Sequence, residues 1–133
     1  MDRVFLDANV LFSASYSDQN RLLLLWTLPN VEFVTSALAV GEALRNLDAE
    51  VQRERLNELL TSTRVVPEPS PNSILPAGIT LPAKDAPILL AAIQSQSTHL
   101  LTGDKRHFGP LYGQVVEGVL IVRPSQFLVG RGL

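Results

Sequence analysis

Short apolar runs alternate along the chain with segments whose apolar residues repeat at helical spacing, and this alternation constrains the fold more than any other feature. Continuous apolar runs of this kind are typical of strands covered on both faces, as in a parallel sheet. The runs predicted to be strands cover residues 3–6, 31–34, 64–66, 98–102 and 119–122. The pattern predicts an α/β fold, a three-layer α/β/α sandwich around a mostly parallel sheet of about five strands.

Capping residues and apolar spacing predict the helices between these strands. The predicted helices run from Ser17-Asp18 to Trp26, from Thr35-Ser36 to Leu47, from Asp48 to Leu60 and from Asp85 to Ile93, with a last turn capped by Ser125. Residues 67–82 hold five of the nine prolines. They therefore predict a mainly extended segment, either a loop or a short helical turn. Its flanking elements are too small to fold alone, so we expect one domain, residues 1–133.

Composition excludes several classes of protein. The chain has no cysteine, which rules out disulfides, thiolate zinc sites and cysteine nucleophiles. Its longest apolar stretches, residues 22–26 and 88–93, fall far short of the ~20 residues that cross a bilayer. We therefore expect a soluble, cytoplasmic protein without a membrane partner. The net charge of −2 argues against nucleic-acid binding by a basic surface, unless carboxylates hold cations that invert the local charge.

Acidic residues follow the predicted strands at one edge of the sheet. Asp7 and Asp104 come directly after apolar strands, and Asp85 begins a helix at the same edge. Ligands bind at this edge in open parallel sheets. Glu42 lies in a helix beside its apolar stripe. Four carboxylates drawn together would repel one another unless cations neutralised them. Without cysteine or paired histidines, oxygen ligands favour Mg²⁺ or Mn²⁺, and two such ions about 4 Å apart can activate a water for phosphodiester hydrolysis.

Taken singly, each acid also has a purely structural interpretation. Asp and Asn are common turn residues, and a helix start is a common place for a capping carboxylate. The alternatives are a turn residue for Asp7 and Asp104, a surface carboxylate paired with Arg45 or Asn46 for Glu42, and an N-cap for Asp85.

The acids stand in segments that resemble the PIN-domain family. These segments are FLDANVLFSA at Asp7, SALAVGEALRNL at Glu42, KDAPILLAAI at Asp85 and LLTGDKRHFGPLYG at Asp104. The closing VLIVRPSQFL is similar to the end of PIN proteins described as toxins of toxin–antitoxin operons. The resemblance spans almost the whole chain, and four short motifs in the right order and spacing make it fairly specific.

The resemblance implies an enzyme, a Mg²⁺- or Mn²⁺-dependent endoribonuclease whose catalytic metal ligands are Asp7, Glu42, Asp85 and Asp104. It also implies an RNA substrate, a homodimer and an inhibiting antitoxin protein. Many members carry a further Asp shortly after the fourth acid, whereas Asp104 is followed here by Lys-Arg-His-Phe. This departure favours one tightly held ion, with two ions as the alternative.

Other residues near the acids suggest supporting roles. Lys105, Arg106 and His107 form the densest basic cluster and are candidate contacts to substrate phosphates, with a solvated loop as the alternative. Asn9 and Thr102 are candidates for orienting a ligand carboxylate or a water, with backbone capping as the alternative.

Two other functions fit parts of the pattern. Haloacid-dehalogenase-like phosphohydrolases also end their first strand in an acid, but they need a second Asp where this chain has Asn9. A catalytically weak PIN fold could instead serve as a binding or scaffold module. The retention of all four acids favours the nuclease.

Overall fold

In the computed structural model, which describes residues 1–133, six strands form one sheet in the order β3-β2-β1-β4-β6-β5. The strands are β1 (Asp2–Leu6), β2 (Val31–Ser36), β3 (Arg64–Val66), β4 (His99–Leu101), β5 (Val115–Val116) and β6 (Val119–Val122). All neighbours pair in parallel except β5 and β6, which form an antiparallel hairpin at one edge. The predicted α/β fold with a mostly parallel sheet is confirmed, and β5 adds a sixth strand that was not predicted.

Helices cover both faces of this sheet. They are α1 (Ala8–Tyr16), α2 (Ala37–Asn46), α3 (Glu50–Leu60), α4 (Ala86–Gln94), α5 (Lys105–Phe108) and α6 (Pro124–Gly130), with 3₁₀ helices at Arg21–Thr27 and Gly109–Leu111. Helices α1, α2 and α3 pack together beside the half of the sheet that runs from β1 to β3. The chain then crosses back from β3 to β4, and a right-handed crossover in that direction places α4 on the opposite face.

The burial of β1 shows that the sheet is covered on both sides. Val4, Phe5 and Leu6 are consecutive, so their side chains point to alternate faces, and all three are completely inaccessible to solvent. The neighbouring strand β4 repeats this pattern at Leu100 and Leu101. No helix in the structure has the length and apolar character that crossing a bilayer requires.

The segment after β1 differs from its prediction. It forms helix α1, which was not predicted. The helix begins here because Asp7 ends the strand and caps the helix, with Asp7 Oδ1 accepting a 2.7 Å hydrogen bond from Ala8 N. The helix predicted from Ser17 is instead a 3₁₀ helix that begins at Arg21. Its cap is Asn20, whose Oδ1 accepts a 3.1 Å hydrogen bond from Leu22 N.

Smaller differences concern helix starts. The third helix begins at Glu50 rather than Asp48, and the last begins at Pro124 because proline suits the first turn of a helix. Helix α5 was not predicted.

The proline-rich loop of residues 67–82 contains no helix or strand, as predicted. Within it, Glu68 Oε2 accepts a 2.9 Å hydrogen bond from Leu38 N and so caps α2.

Candidate active site

A cleft of about 320 Å³ opens at the carboxyl edge of the sheet, between the ends of β1 and β4. After β1, successive strands are added on one side of it, as β2 and then β3. After β4, the next strands are added on the opposite side of the sheet, as β6 and β5. Strands β1 and β4 therefore flank the point where strand order reverses, which is where open parallel sheets bind ligands. The cleft is lined by Asp7, Ala8, Asn9, Phe12, Glu42, Asn46, Lys84, Asp85 and Asp104. All four predicted acids thus meet in one cleft.

Asp7 is the most enclosed of the four acids, with 5% of its surface exposed. Its backbone N–H donates to Leu101 O at 3.1 Å, which ties the end of β1 to β4. Burial raises the pKa of Asp7 to about 6, and the nearby carboxylates of Glu42 and Asp85 add to this rise. Hydrogen bonds to the carboxylate oppose the rise without cancelling it. The site therefore disfavours the charged form of Asp7 unless a cation is near.

Asn9 and Thr102 hold the Asp7 carboxylate in place. Thr102 Oγ1 donates to Asp7 Oδ2 at 2.8 Å, and Asn9 Nδ2 donates to the same oxygen at 3.1 Å. Both side chains also accept from the backbone after β4: Asn9 Oδ1 from Gly103 N at 2.7 Å, and Thr102 Oγ1 from Asp104 N at 3.2 Å. Asn9 and Thr102 therefore contact both the Asp7 carboxylate and the backbone after β4.

Asp85 stands at the N-cap position of α4, but its side chain makes no capping hydrogen bond. Its Oδ2 is a buried oxygen that accepts no hydrogen bond, and the residue as a whole is 9% exposed. Burial raises the pKa of Asp85, while His107 and Lys84 act to lower it. The Asp85 side chain therefore does not cap α4, and it lines the cleft instead.

Asp104 and His107 form a pair at the start of α5. Asp104 Oδ1 accepts from His107 N at 3.1 Å, and Asp104 Oδ2 lies 2.9 Å from His107 Nδ1. The same Nδ1 lies 2.9 Å from Asp85 Oδ2. Since Nδ1 carries at most one proton, it can donate fully to only one of these two oxygens. His107 therefore lies against the acids, whereas Lys105 and Arg106 beside it are exposed.

Glu42 reaches the cleft from α2, and its carboxylate makes no salt bridge. The Asn46 side chain donates to the backbone oxygen of Glu42 at 3.0 Å, not to its carboxylate. The sequence interpretation did not assign Asn46, Lys84 or Phe12 to the site. For Lys84 there was a signal, because it directly precedes Asp85, whereas Phe12 lies on the helix that was not predicted.

The residues present fit a divalent cation. Asp85, Asp104 and His107 each offer a ligand atom, and these atoms lie within 4.8 Å of one another. Carboxylate oxygens with an imidazole nitrogen suit first-row divalent ions, and carboxylates alone suit Mg²⁺. The unpartnered, buried Asp85 Oδ2 is the kind of atom that such an ion would satisfy.

A wider depression of about 550 Å³ lies at the opposite, amino edge of the strands. Its single carboxylate, Glu32, is already paired with Arg3 at 3.2 Å and with Arg64 at 2.8 Å. It therefore lacks the group of free acids that distinguishes the smaller cleft, and we place the candidate site at the carboxyl edge.

Fold and site together define an α/β protein with an acidic, metal-compatible cleft at the strand-order reversal of a parallel sheet. No family model matches the sequence, and no curated protein matches it. Among solved structures, the chain is similar to a chain of the crystal structure of VapBC2 from Rickettsia felis bound to a DNA fragment from their promoter. The TM-score is 0.60 at 14% identity, covering 91% of this chain and 98% of that one. At this identity the likeness shows the fold, and the PIN-like fold expected from the motifs is confirmed.

Proposed function

We propose that this protein is a divalent-metal-dependent endoribonuclease. The observation that carries the proposal is the convergence of four carboxylates, from four separate segments, on one cleft that contains a buried carboxylate oxygen with no hydrogen-bond partner. Like charges this close favour protonation or a bound cation, and two of the carboxyl groups already have raised pKa values. The resemblance to PIN-domain nucleases supplies the reaction and its substrate, RNA.

In this proposal Asp7, Glu42, Asp85 and Asp104, which all line the cleft, hold the ion, Mg²⁺ or Mn²⁺. When bound, the ion supplies a Lewis acid that stabilises negative charge on a phosphodiester and favours deprotonation of a water. One ion fits the residues best, because no further carboxylate follows Asp104 before the buried Phe108.

Cationic residues in and beside the cleft position the substrate. Lys84 is exposed at its rim and is the only cationic residue that lines it. Lys105 and Arg106 are exposed beside Asp104, where they can contact backbone phosphates on either side of the scissile bond. These three cations offset the negative net charge of the chain locally.

The proposal extends to a cytoplasmic toxin that forms a homodimer and is inhibited by an antitoxin protein. Two observations support it: the resemblance to toxins of toxin–antitoxin operons, and the similarity in fold to a structure that contains VapBC2 with promoter DNA. Co-expression with the product of the adjacent small reading frame, followed by co-purification, tests the partner. Light scattering of the isolated chain tests the dimer.

Cleavage of a labelled single-stranded RNA tests the enzymatic proposal. We expect cleavage with Mg²⁺ or Mn²⁺ and none with EDTA. Glu42→Gln and Asp85→Asn should each reduce the rate of RNA cleavage by more than the roughly 10–100-fold that follows loss of a residue that only orients a metal ligand. Glu54→Gln, an exposed glutamate of α3, is the matched control and should cleave normally.

Three results would contradict this proposal. Unchanged cleavage by Asp85→Asn would show that the cleft is not the active site. Hydrolysis of small phosphate esters but not RNA would indicate a phosphohydrolase. Neither cleavage nor metal binding would indicate a binding or scaffold module.

A further inference from the structure

We propose that His107 is a metal ligand, and that its Nδ1 joins Asp85 and Asp104 in a mixed nitrogen and oxygen site that prefers Mn²⁺ to Mg²⁺. The inference rests on the divalent ion of the proposed function and specifies its ligands. It also assigns His107 a different role from its neighbours Lys105 and Arg106, with which the sequence groups it.

The first observation is the spacing of the three ligand atoms. His107 Nδ1 lies 2.9 Å from Asp85 Oδ2 and 2.9 Å from Asp104 Oδ2. Adjacent ligands of an octahedral ion with bonds of about 2.1 Å are about 3.0 Å apart. The nitrogen is therefore spaced from each oxygen as adjacent ligands of one ion would be, and all three atoms lie within 4.8 Å of one another.

The second observation is the charge that the three atoms lack. A ring nitrogen between two carboxylate oxygens requires a positive centre, which is either a proton or a metal ion. Nδ1 makes its hydrogen bond with Asp104 Oδ2, whereas Asp85 Oδ2, although 2.9 Å from the same nitrogen, is buried and has no hydrogen-bond partner. One ion between the three atoms would contact all of them at once and leave none unsatisfied.

The third observation is that the fold fixes the imidazole in this place. Asp104 caps α5 by accepting from His107 N, which sets the spacing between the two side chains. The next residue, Phe108, is completely buried and anchors the helix to the core. The His107 side chain keeps 23% of its surface exposed, so an ion from solvent can reach it.

The ligand set determines which ion is preferred. Mg²⁺ is held by oxygen ligands and keeps several of its waters, whereas imidazole suits later first-row ions. Affinity for a site containing nitrogen rises from Mn²⁺ along the first row. Among the two ions proposed for this protein, a histidine ligand therefore favours Mn²⁺.

Electron spin echo envelope modulation of Mn²⁺ bound to the full chain, without RNA, tests the proposal. We expect ¹⁴N modulation from a directly bound imidazole in the wild type, lost in His107→Gln. The matched control is His99→Gln, which changes the only other histidine; its ring packs edge-on against Phe127, away from the cleft. Its signal should be unchanged.

Titrations of Mn²⁺ and Mg²⁺ provide a second measurement. His107→Gln should weaken Mn²⁺ binding at least about 10-fold and weaken Mg²⁺ binding much less. Absence of ¹⁴N modulation in the wild type would overturn the proposal, whatever the stability of the variant. Equal weakening for both ions would also overturn it, since His107 would then act only by positioning Asp104.

These results are separable from the proposed function. Bound Mn²⁺ with ¹⁴N coupling but no RNA cleavage would support the ligand and contradict the nuclease. RNA cleavage with Mn²⁺ and no ¹⁴N coupling would support the nuclease and overturn the ligand. Binding of neither Mn²⁺ nor Mg²⁺ would overturn both.

Discussion

Thr102 donates a 2.8 Å hydrogen bond to Oδ2 of Asp7 and so joins the ends of the two strands at which the order of the sheet reverses. The same Oγ1 accepts from Asp104 N, so one hydroxyl connects two of the four acids. Thr102 and Asp7 are both buried. A buried polar group that loses its hydrogen-bond partner lowers the free energy of unfolding substantially.

Thr102→Val keeps the shape of the side chain and removes these hydrogen bonds. We expect the free energy of unfolding to fall by about 1–3 kcal/mol and RNA cleavage to fall about 10–100-fold. Urea unfolding and the cleavage assay measure the two effects. Thr80→Val, an exposed threonine of the proline-rich loop, serves as the control and should change neither. A variant as stable and active as the wild type would show that this link does not organise the site.

Asp7 should make the stability of the metal-free protein depend on pH. Its pKa is about 6 in the folded protein and near its ordinary 3.8 in the unfolded chain. Between these values the folded state holds the proton more tightly, so stability falls as pH rises from about 4 to 6 and then levels off. The loss attributable to Asp7 is about 3 kcal/mol.

Asp7→Asn removes this titrating group. We expect the same substitution to abolish RNA cleavage. Unfolding in urea with EDTA, repeated from pH 4 to 7.5, should show the variant gaining stability relative to the wild type across that window. Comparison of the two proteins cancels the titrating groups that lie away from Asp7, and leaves Asp7 together with its coupling to Glu42 and Asp85. A stability difference that stays constant with pH would contradict the raised pKa of Asp7.

Gly103 is the only glycine whose replacement would press on the site. A Cβ there would lie 3.3 Å from Asn9 Oδ1, which is closer than ordinary contact, so Asn9 would have to move. We expect Gly103→Ala to reduce cleavage several-fold or more while the fold persists, because Asn9 orients Asp7. Gly109→Ala, where an added Cβ meets nothing within 4 Å, is the control. Equal activity of both variants would count against this role for Asn9.

Lys105 and Arg106 should contribute to RNA affinity through phosphate contacts. In an Asp85→Asn background that suppresses cleavage, Lys105→Gln and Arg106→Gln should each reduce the slope of log affinity against log salt by about 0.7. Fluorescence anisotropy at several salt concentrations measures the slope. Arg21→Gln lies beyond the far end of α1 and should leave the slope unchanged. Slopes that do not respond to either substitution would indicate a solvated loop.

The sequence predicted the fold and three of the acids because each depends on local pattern. Asp7 and Asp104 follow strands that read as continuous apolar runs, and Asp85 starts a helix at the same edge. Glu42 lies inside a helix, where periodicity does not separate a cleft residue from a surface one. Its position came from the resemblance to the PIN-domain family, and the structure brings it to the same cleft.

Other features depend on contacts that local pattern does not encode. Helix α1 was not predicted because apolar residues resume directly after the polar break at Asp7 and Asn9, and only the capping role of Asp7 separates strand from helix. The inward turn of His107 requires α5, a helix of four residues, which is too short for apolar periodicity to reveal. Asn46 reaches the cleft only because α2 packs beside α1.

Anomalous diffraction of crystals soaked in Mn²⁺ tests whether these carboxylates hold a divalent ion. We expect an anomalous peak within bonding distance of carboxylate oxygens of Asp85 and Asp104, in the cleft at the carboxyl edge of the sheet. Crystals that show no peak in this cleft at a saturating Mn²⁺ concentration would contradict it.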